Sequence, residues 1–237
     1  MFFPTKKPNS PYHELRRNDQ FLRVITPFVK HTFETYFDIR YSGKERLEEL
    51  RGQKILPISK HQSWVDFYIM ANLLYTSLDT YGYYMKKESL PDIISIFWTY
   101  DVMRKQEYNE LREKIGKDES RVAFRSSIKR ANDITRYLLS IGEIPVIYVE
   151  GTRNMQESTK LSRSRVQHLI DLQKDSDPIT FVPVCIEYDG DIHPRWGVIA
   201  TPRMHIKVGV GEPIQVPDDG VEELIAHLAK EVELFEA

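Results

Sequence analysis

The stretch Lys54-Ile55-Leu56-Pro57-Ile58-Ser59-Lys60-His61-Gln62-Ser63-Trp64-Val65-Asp66 decides the fold, because it reads as a short apolar strand that turns into a helix. Lys54 to Ser59 is a strand-length apolar run, and Phe67 to Leu78 reads as the helix that follows it. Between them, Ser63-Trp64-Val65-Asp66 fits the start of a helix, with a hydroxyl at the cap and an acid in the first turn. The same alternation recurs along the chain. Tyr81 to Met85 is a strand candidate followed by a helix from Pro91 to Tyr100, and Arg121 to Ser140 reads as a long helix that stops at Gly142. Ile144 to Val149 is a strand, Thr159 to Leu172 a helix, Thr180 to Glu187 and Met204 to Val210 strands, and Val221 to Phe235 a closing amphipathic helix. The charged segment 105–120, KQEYNELREKIGKDES, reads as a solvated helix or a loop insertion. Strands alternating with helices predict an α/β fold: a single domain with a mostly parallel or mixed central sheet covered by helices.

The front of the chain carries a different pattern. Phe21, Leu22, Ile25, Phe28, Val29, Phe33, Tyr36 and Phe37 gather on one side of a helical projection, with Arg16, Arg23, Lys30 and Glu34 opposite. Pro27 does not fit inside one continuous helix, so Thr26-Pro27 reads as a cap and first turn, giving two helices over 12–25 and 27–38. The expected division is therefore an N-terminal two-helix amphipathic motif over 1–40 and a catalytic-type domain over 41–237.

Charge is also divided unevenly along the chain. The 237 residues balance to −2 with a mean hydropathy of −0.45, but residues 1–60 carry +5, 61–211 are neutral, and 212–237 carry −7. No run approaches the roughly 18 apolar residues of a membrane-spanning helix. A basic front end argues for an anionic partner, and amphipathic helices with large aromatics can lie in a membrane interface. The alternative is that their apolar face packs on the domain. The opening MFFPTKKPNS lacks an apolar secretory core, so export is not expected. The one cysteine, Cys185, excludes an internal disulfide and a cysteine-rich zinc site, and it is expected in the core.

In such sheets, sites form where strands end and helices begin. Two strand ends carry chemistry. After the first strand, His61 and Asp66 have four residues between them; a neutral imidazole can take a hydroxyl proton while a carboxylate fixes its tautomer and stabilises the imidazolium. On a regular helix the two would lie about 140° apart, so the pairing requires a turn into the helix. Asp66 also has a capping role open to it. After Ile144 to Val149 comes Glu150-Gly151-Thr152-Arg153: glycine permits close backbone approach, threonine offers a hydroxyl, and the arginine fork suits a phosphate. A surface turn with a Glu-Arg ion pair is the alternative.

His61-x4-Asp66 followed by Glu150-Gly151-Thr152-Arg153 resembles the glycerolipid acyltransferase family, which includes the lysophosphatidic acid acyltransferases. The similarity runs from about residue 50 to about residue 190. Tyr84-Met85-Lys86-Lys87-Glu88-Ser89-Leu90 is similar to the family's strand-plus-lysine segment, and Phe181-Val182-Pro183-Val184 to its fourth block. Tyr100-Asp101-Val102-Met103-Arg104 supplies the second block's arginine without its glycine, and Asn154-Met155-Gln156 departs from the commoner continuation of the third.

The resemblance implies transfer of an acyl chain from acyl-CoA or acyl carrier protein to a glycerolipid hydroxyl, with lysophosphatidic acid the expected acceptor. His61 is then the general base and Asp66 its orienting partner. Glu150, Gly151, Thr152 and Arg153 hold the acceptor phosphate, with Arg104 and Lys86 as further cations. A thioester is already activated, so no enzyme nucleophile is needed, and backbone N–H groups after Ser63 are candidates for the oxyanion. No metal-ligand cluster, glycine-rich nucleotide loop or G-x-S-x-G elbow occurs, so no metal and no cofactor beyond the thioester co-substrate is expected. The expected location is the cytoplasmic side of a membrane, peripheral or monotopic, through the basic front end; nucleic acid is not an expected partner. An acyl-ester hydrolase using the same dyad and a non-catalytic phospholipid-binding module are the competing readings.

Overall fold

A computed structural model describes residues 37–60, 63, 65–87, 99–103, 105–148, 163–173, 178–189 and 204–233, together with 5–6, 16–17, 24, 27, 31 and 35. In chain order its elements are β1 (Thr5–Lys6), β2 (Arg16–Arg17), β3 (Phe37–Ser42), α1 (Lys44–Glu49), β4 (Ile55–Ser59), α2 (Val65–Leu78), β5 (Gly82–Lys87), β6 (Thr99–Val102), α3 (Lys105–Ile115), α4 (Lys117–Ser140), β7 (Ile144–Tyr148), α5 (Arg163–Asp171), β8 (Thr180–Asp189), β9 (Met204–Val210) and α6 (Val221–Glu233). The chain is an α/β domain built on one seven-stranded mixed sheet in the order β3-β9-β8-β4-β7-β5-β6. The strands β4, β5, β6, β7 and β8 run in one direction and β9 and β3 in the other, since β8 pairs antiparallel with β9 and every other neighbouring pair is parallel.

Period-two alternation divides the core between two faces. Ile55, Tyr84, Val146, Val182 and Val184 point to α1 and α2, where Leu47, Ile69, Met70, Leu73 and Leu74 are buried. Their sequence neighbours Leu56, Ile147 and Phe181 point the other way, against Val166, Leu169 and Ile170 of α5 and Leu224 and Leu228 of α6. Tyr83 and Tyr100 meet Ala131, Ile134 and Leu138 of α4 on that second face. The turn from β3 into α1 depends on Gly43: its φ is +68°, and a side chain there would collide with the Val210 carbonyl that accepts a 2.6 Å hydrogen bond from Arg46.

Four local expectations change. Arg16 and Arg17 pair antiparallel with Lys6 and Thr5, so the helix expected over 12–25 does not include them. Val24, Pro27, His31 and Thr35 are helical, and the Thr35 hydroxyl donates to the His31 carbonyl at 2.7 Å. The second helix was expected to reach residue 38, but Phe37 and Asp38 open β3, so the division expected at residue 40 falls inside a strand. Phe33, Tyr36 and Phe37 satisfy a helical period while Phe37, Ile39 and Tyr41 satisfy a strand period. Pairing with β9 and burial of Phe37 against α2's face of the sheet decide for the strand. Thr99 and Tyr100, expected to end a helix, begin β6: Tyr100 is fully buried and its hydroxyl bonds the Thr135 hydroxyl at 2.8 Å. Residues 91–98 of that expected helix lie outside the described residues. The charged segment after residue 104 forms α3 and the first turn of α4.

Candidate active site

The parallel strands β4 and β7 are neighbours, and their last residues, Ser59 and Tyr148, are cross-strand partners. The next helices leave on opposite faces: α2 packs on the face of Ile55 and Val146, α5 on the face of Leu56 and Ile147. Adjacent strands whose connections depart to opposite sides define the switch point at which open α/β sheets hold ligands. The segments beginning at Lys60 and Val149 both leave from it. Those segments carry His61 and Glu150, Gly151, Thr152 and Arg153, which, with Arg104, lie outside the described residues.

Asp66 is described, and it has no exposed surface. It stands in the first turn of α2, where Ser63 is the cap. The Ser63 hydroxyl accepts from the Val65 N–H at 3.2 Å, and Asp66 Oδ2 accepts from the Ser63 N–H at 2.8 Å. This is a capping box with aspartate in the returning position, the local role that Ser63-Trp64-Val65-Asp66 predicted. The Asp66 N–H bonds the Ser63 carbonyl at 3.3 Å. Of the backbone N–H groups after Ser63 expected as oxyanion candidates, those of Val65 and Asp66 are engaged by Ser63 itself, and Trp64 lies outside the described residues.

The other carboxylate oxygen, Oδ1, accepts from the Tyr188 hydroxyl. Strand β8 pairs with β4 up to Ser59↔Val184 and continues to Asp189, so Tyr188 lies four residues past the end of that ladder, over the start of α2. Burial pushes the Tyr188 phenol well up, and the charge of Asp66 and the hydrogen bond to it add to the rise; the phenol stays a donor. Tyr148 is raised well above the usual phenol range by burial, with further increments from Tyr84 and Asp66. Tyr84 is raised by burial alone. Phe67 packs edge-on to both Tyr84 and Tyr148, with centroids 5.2 and 5.3 Å away. Asp66 thus sits at the rim of an aromatic wall of low polarity.

Lys86 lies near the end of β5, two residues beyond the Tyr84↔Val146 partners. Its side chain is 5% exposed and its Nζ is 2.6 Å from Asp101 Oδ1, its cross-strand neighbour on β6; the contact is an ion pair without the alignment of a hydrogen bond. An ammonium held this way meets a phosphate only by sharing itself with Asp101. Cys185 is buried in β8, as expected of a core residue. Tyr188 and Asp101 are the polar partners that sequence reasoning passed over. A signal for Tyr188 exists: the alternation Val182, Val184, Ile186 extends to it and puts it on the face of α2.

The fold is an α/β domain with a switch point at the ends of β4 and β7 and a buried, doubly held carboxylate in the first turn of α2. The chain belongs to the acyltransferase family, whose model, described as Acyltransferase, matches residues 38–187. Among solved structures it is similar to the 1-acyl-sn-glycerophosphate (LPA) acyltransferase, PlsC, from Thermotoga maritima. The two share 18% identity at a TM-score of 0.55, over 91% of this chain and 80% of that one, a likeness of fold. None of the curated proteins matches it.

Proposed function

We propose that this acyltransferase moves a fatty acyl chain from an acyl thioester, acyl-CoA or acyl-ACP, to the hydroxyl of a lysophospholipid, with lysophosphatidic acid as acceptor and phosphatidic acid as product. His61 takes the hydroxyl proton as the oxygen attacks the thioester carbonyl carbon; the C–S bond then breaks and the proton passes to the departing thiolate. Asp66 carries the compensating negative charge. Glu150, Gly151, Thr152 and Arg153 grip the acceptor phosphate, Arg104 adds a second cation, and Lys86 contributes from its ion pair with Asp101.

One observation carries this reading. The strands that lead into His61 and into Glu150 end beside each other at Ser59 and Tyr148, at the switch point of the sheet. Membrane association fits an enzyme whose product is a bilayer lipid. No helix among the described residues is long and apolar enough to cross a bilayer, so the proposed association is peripheral, on the cytoplasmic side, through the basic residues of the front end. Purified protein incubated with labelled acyl-CoA and a panel of lysolipids tests the assignment by product mass. Phosphatidic acid supports it; free fatty acid alone identifies a hydrolase, and no turnover identifies a binding module. Sedimentation with anionic vesicles but not with zwitterionic ones is expected for the membrane step.

A further inference from the structure

The buried carboxylate of Asp66 needs more than its own helix to hold it. A carboxylate without exposed surface must find its donors within the protein, and the described residues supply the Ser63 backbone N–H to Oδ2 and the Tyr188 hydroxyl to Oδ1. The first comes from the capping box and exists wherever the helix exists. The second comes from a residue 122 positions away, on a strand that overruns its neighbour to reach the start of α2. The titratable groups of the described residues that face Asp66 are Tyr188 from β8 and Tyr148 from β7, with Tyr84 of β5 beside Tyr148.

We propose that Tyr188 is a positioning residue for acyl transfer: its hydroxyl fixes the plane of the Asp66 carboxylate, so that Asp66 presents an oriented oxygen to the general base. This rests on the reading of His61 and Asp66 as the dyad. A carboxylate oxygen accepts two hydrogen bonds. With both oxygens held from fixed directions, the carboxylate cannot rotate about its Cβ–Cγ bond.

Without the Tyr188 hydroxyl, the buried charge loses a charged-group hydrogen bond. With one donor fewer sharing its charge, Asp66 then holds the proton of its imidazolium partner more strongly. That moves the acid limb of the kcat profile toward higher pH, by about one to two pH units. The test is acyl transfer by the full chain across pH 5–9 for wild type, Tyr188→Phe, Asp66→Asn and Gly82→Ala. Gly82→Ala crowds Val146 and Leu74 and serves as a destabilised control that leaves both donors to Asp66 in place. The expected result is a kcat for Tyr188→Phe lower by about tenfold at neutral pH, KM within about twofold, an acid limb moved upward, and a Gly82→Ala limb at the wild-type pH. An inactive Asp66→Asn with an unmoved limb in Tyr188→Phe overturns the role of Tyr188. A limb that moves equally in Gly82→Ala assigns the shift to lost stability and overturns it too. Activity retained in Asp66→Asn overturns the dyad reading on which it rests.

Discussion

Replacing Asp66 separates its structural duty from its proposed chemical one, because asparagine and alanine affect the two differently. In Asp66→Asn the amide oxygen can keep the Ser63 N–H, a fixed backbone donor, while the new NH2 faces Tyr188, whose hydroxyl can turn and accept. The capping box survives with a neutral acceptor, at a cost of about 1 kcal/mol. In Asp66→Ala both donors lose a charged acceptor and the helix loses half of its capping box. Two such losses, offset by no longer burying a charge, amount to about 3 kcal/mol. For a chain of this length about 1 kcal/mol shifts the melting temperature by roughly 2–4 °C, so the expected decreases are about 3 °C for asparagine and about 9 °C for alanine. Acyl transfer, followed by release of the coenzyme thiol, is expected to fall by about 100-fold or more in both variants, because neither keeps the negative charge that stabilises an imidazolium. An asparagine variant with near wild-type turnover refutes the requirement for charge. An alanine variant that melts with the wild type refutes the account of the capping box and of the Tyr188 contact.

Arg153→Ala is expected to raise KM for a phosphorylated acceptor by about tenfold or more, the loss of one charge-assisted contact. Lys86→Met should raise it less, because Lys86 is already paired with Asp101; steady-state kinetics with lysophosphatidic acid compare the two. Gly82→Ala places a methyl group 2.5 Å from Val146 Cγ2 and 2.9 Å from Leu74 Cδ1, and overpacking of this kind costs about 1–3 kcal/mol in chemical denaturation. His168 has its pKa lowered, mainly by burial, from an ordinary 6.5. The unfolded chain therefore takes up this proton first as pH falls, and the stability attached to the neutral ring is fully present above about pH 6.5 and declines below it. His168→Gln, whose amide can retain the contact that His168 Nε2 makes with Asn132 Oδ1 at 2.7 Å, should flatten that part of a plot of melting temperature against pH between 5 and 7.5.

Local interactions make much of this molecule legible in its sequence. Ile55 to Ser59 and Ile144 to Tyr148 are apolar runs and Met204 to Val210 alternates, so their strand character is written within a few residues, and α2, α4 and α6 follow helical periods. The Ser63–Asp66 capping box closes over four residues, so its two hydrogen bonds were readable in the sequence. The strand ends that carry His61 and Glu150 were recognisable for the same reason.

Tertiary structure decided what spans longer separations. Phe37 to Ser42 and Thr99 to Val102 are strands because β9 and β5 supply their hydrogen bonds, and no periodicity internal to them outweighs that pairing. The order in which β4 inserts between β7 and β8 sets the switch point, and it depends on which ladders close once α2, α4 and α5 cover the sheet. The partnership of Tyr188 with Asp66 depends on register. One residue's slip of β8 against β4 would send the phenol to the opposite face and leave the buried carboxylate with its helix donor and one fewer partner from the sheet. The residue types and their local spacing are properties of the sequence; the direction from which a buried charge is held is a property of the packed sheet.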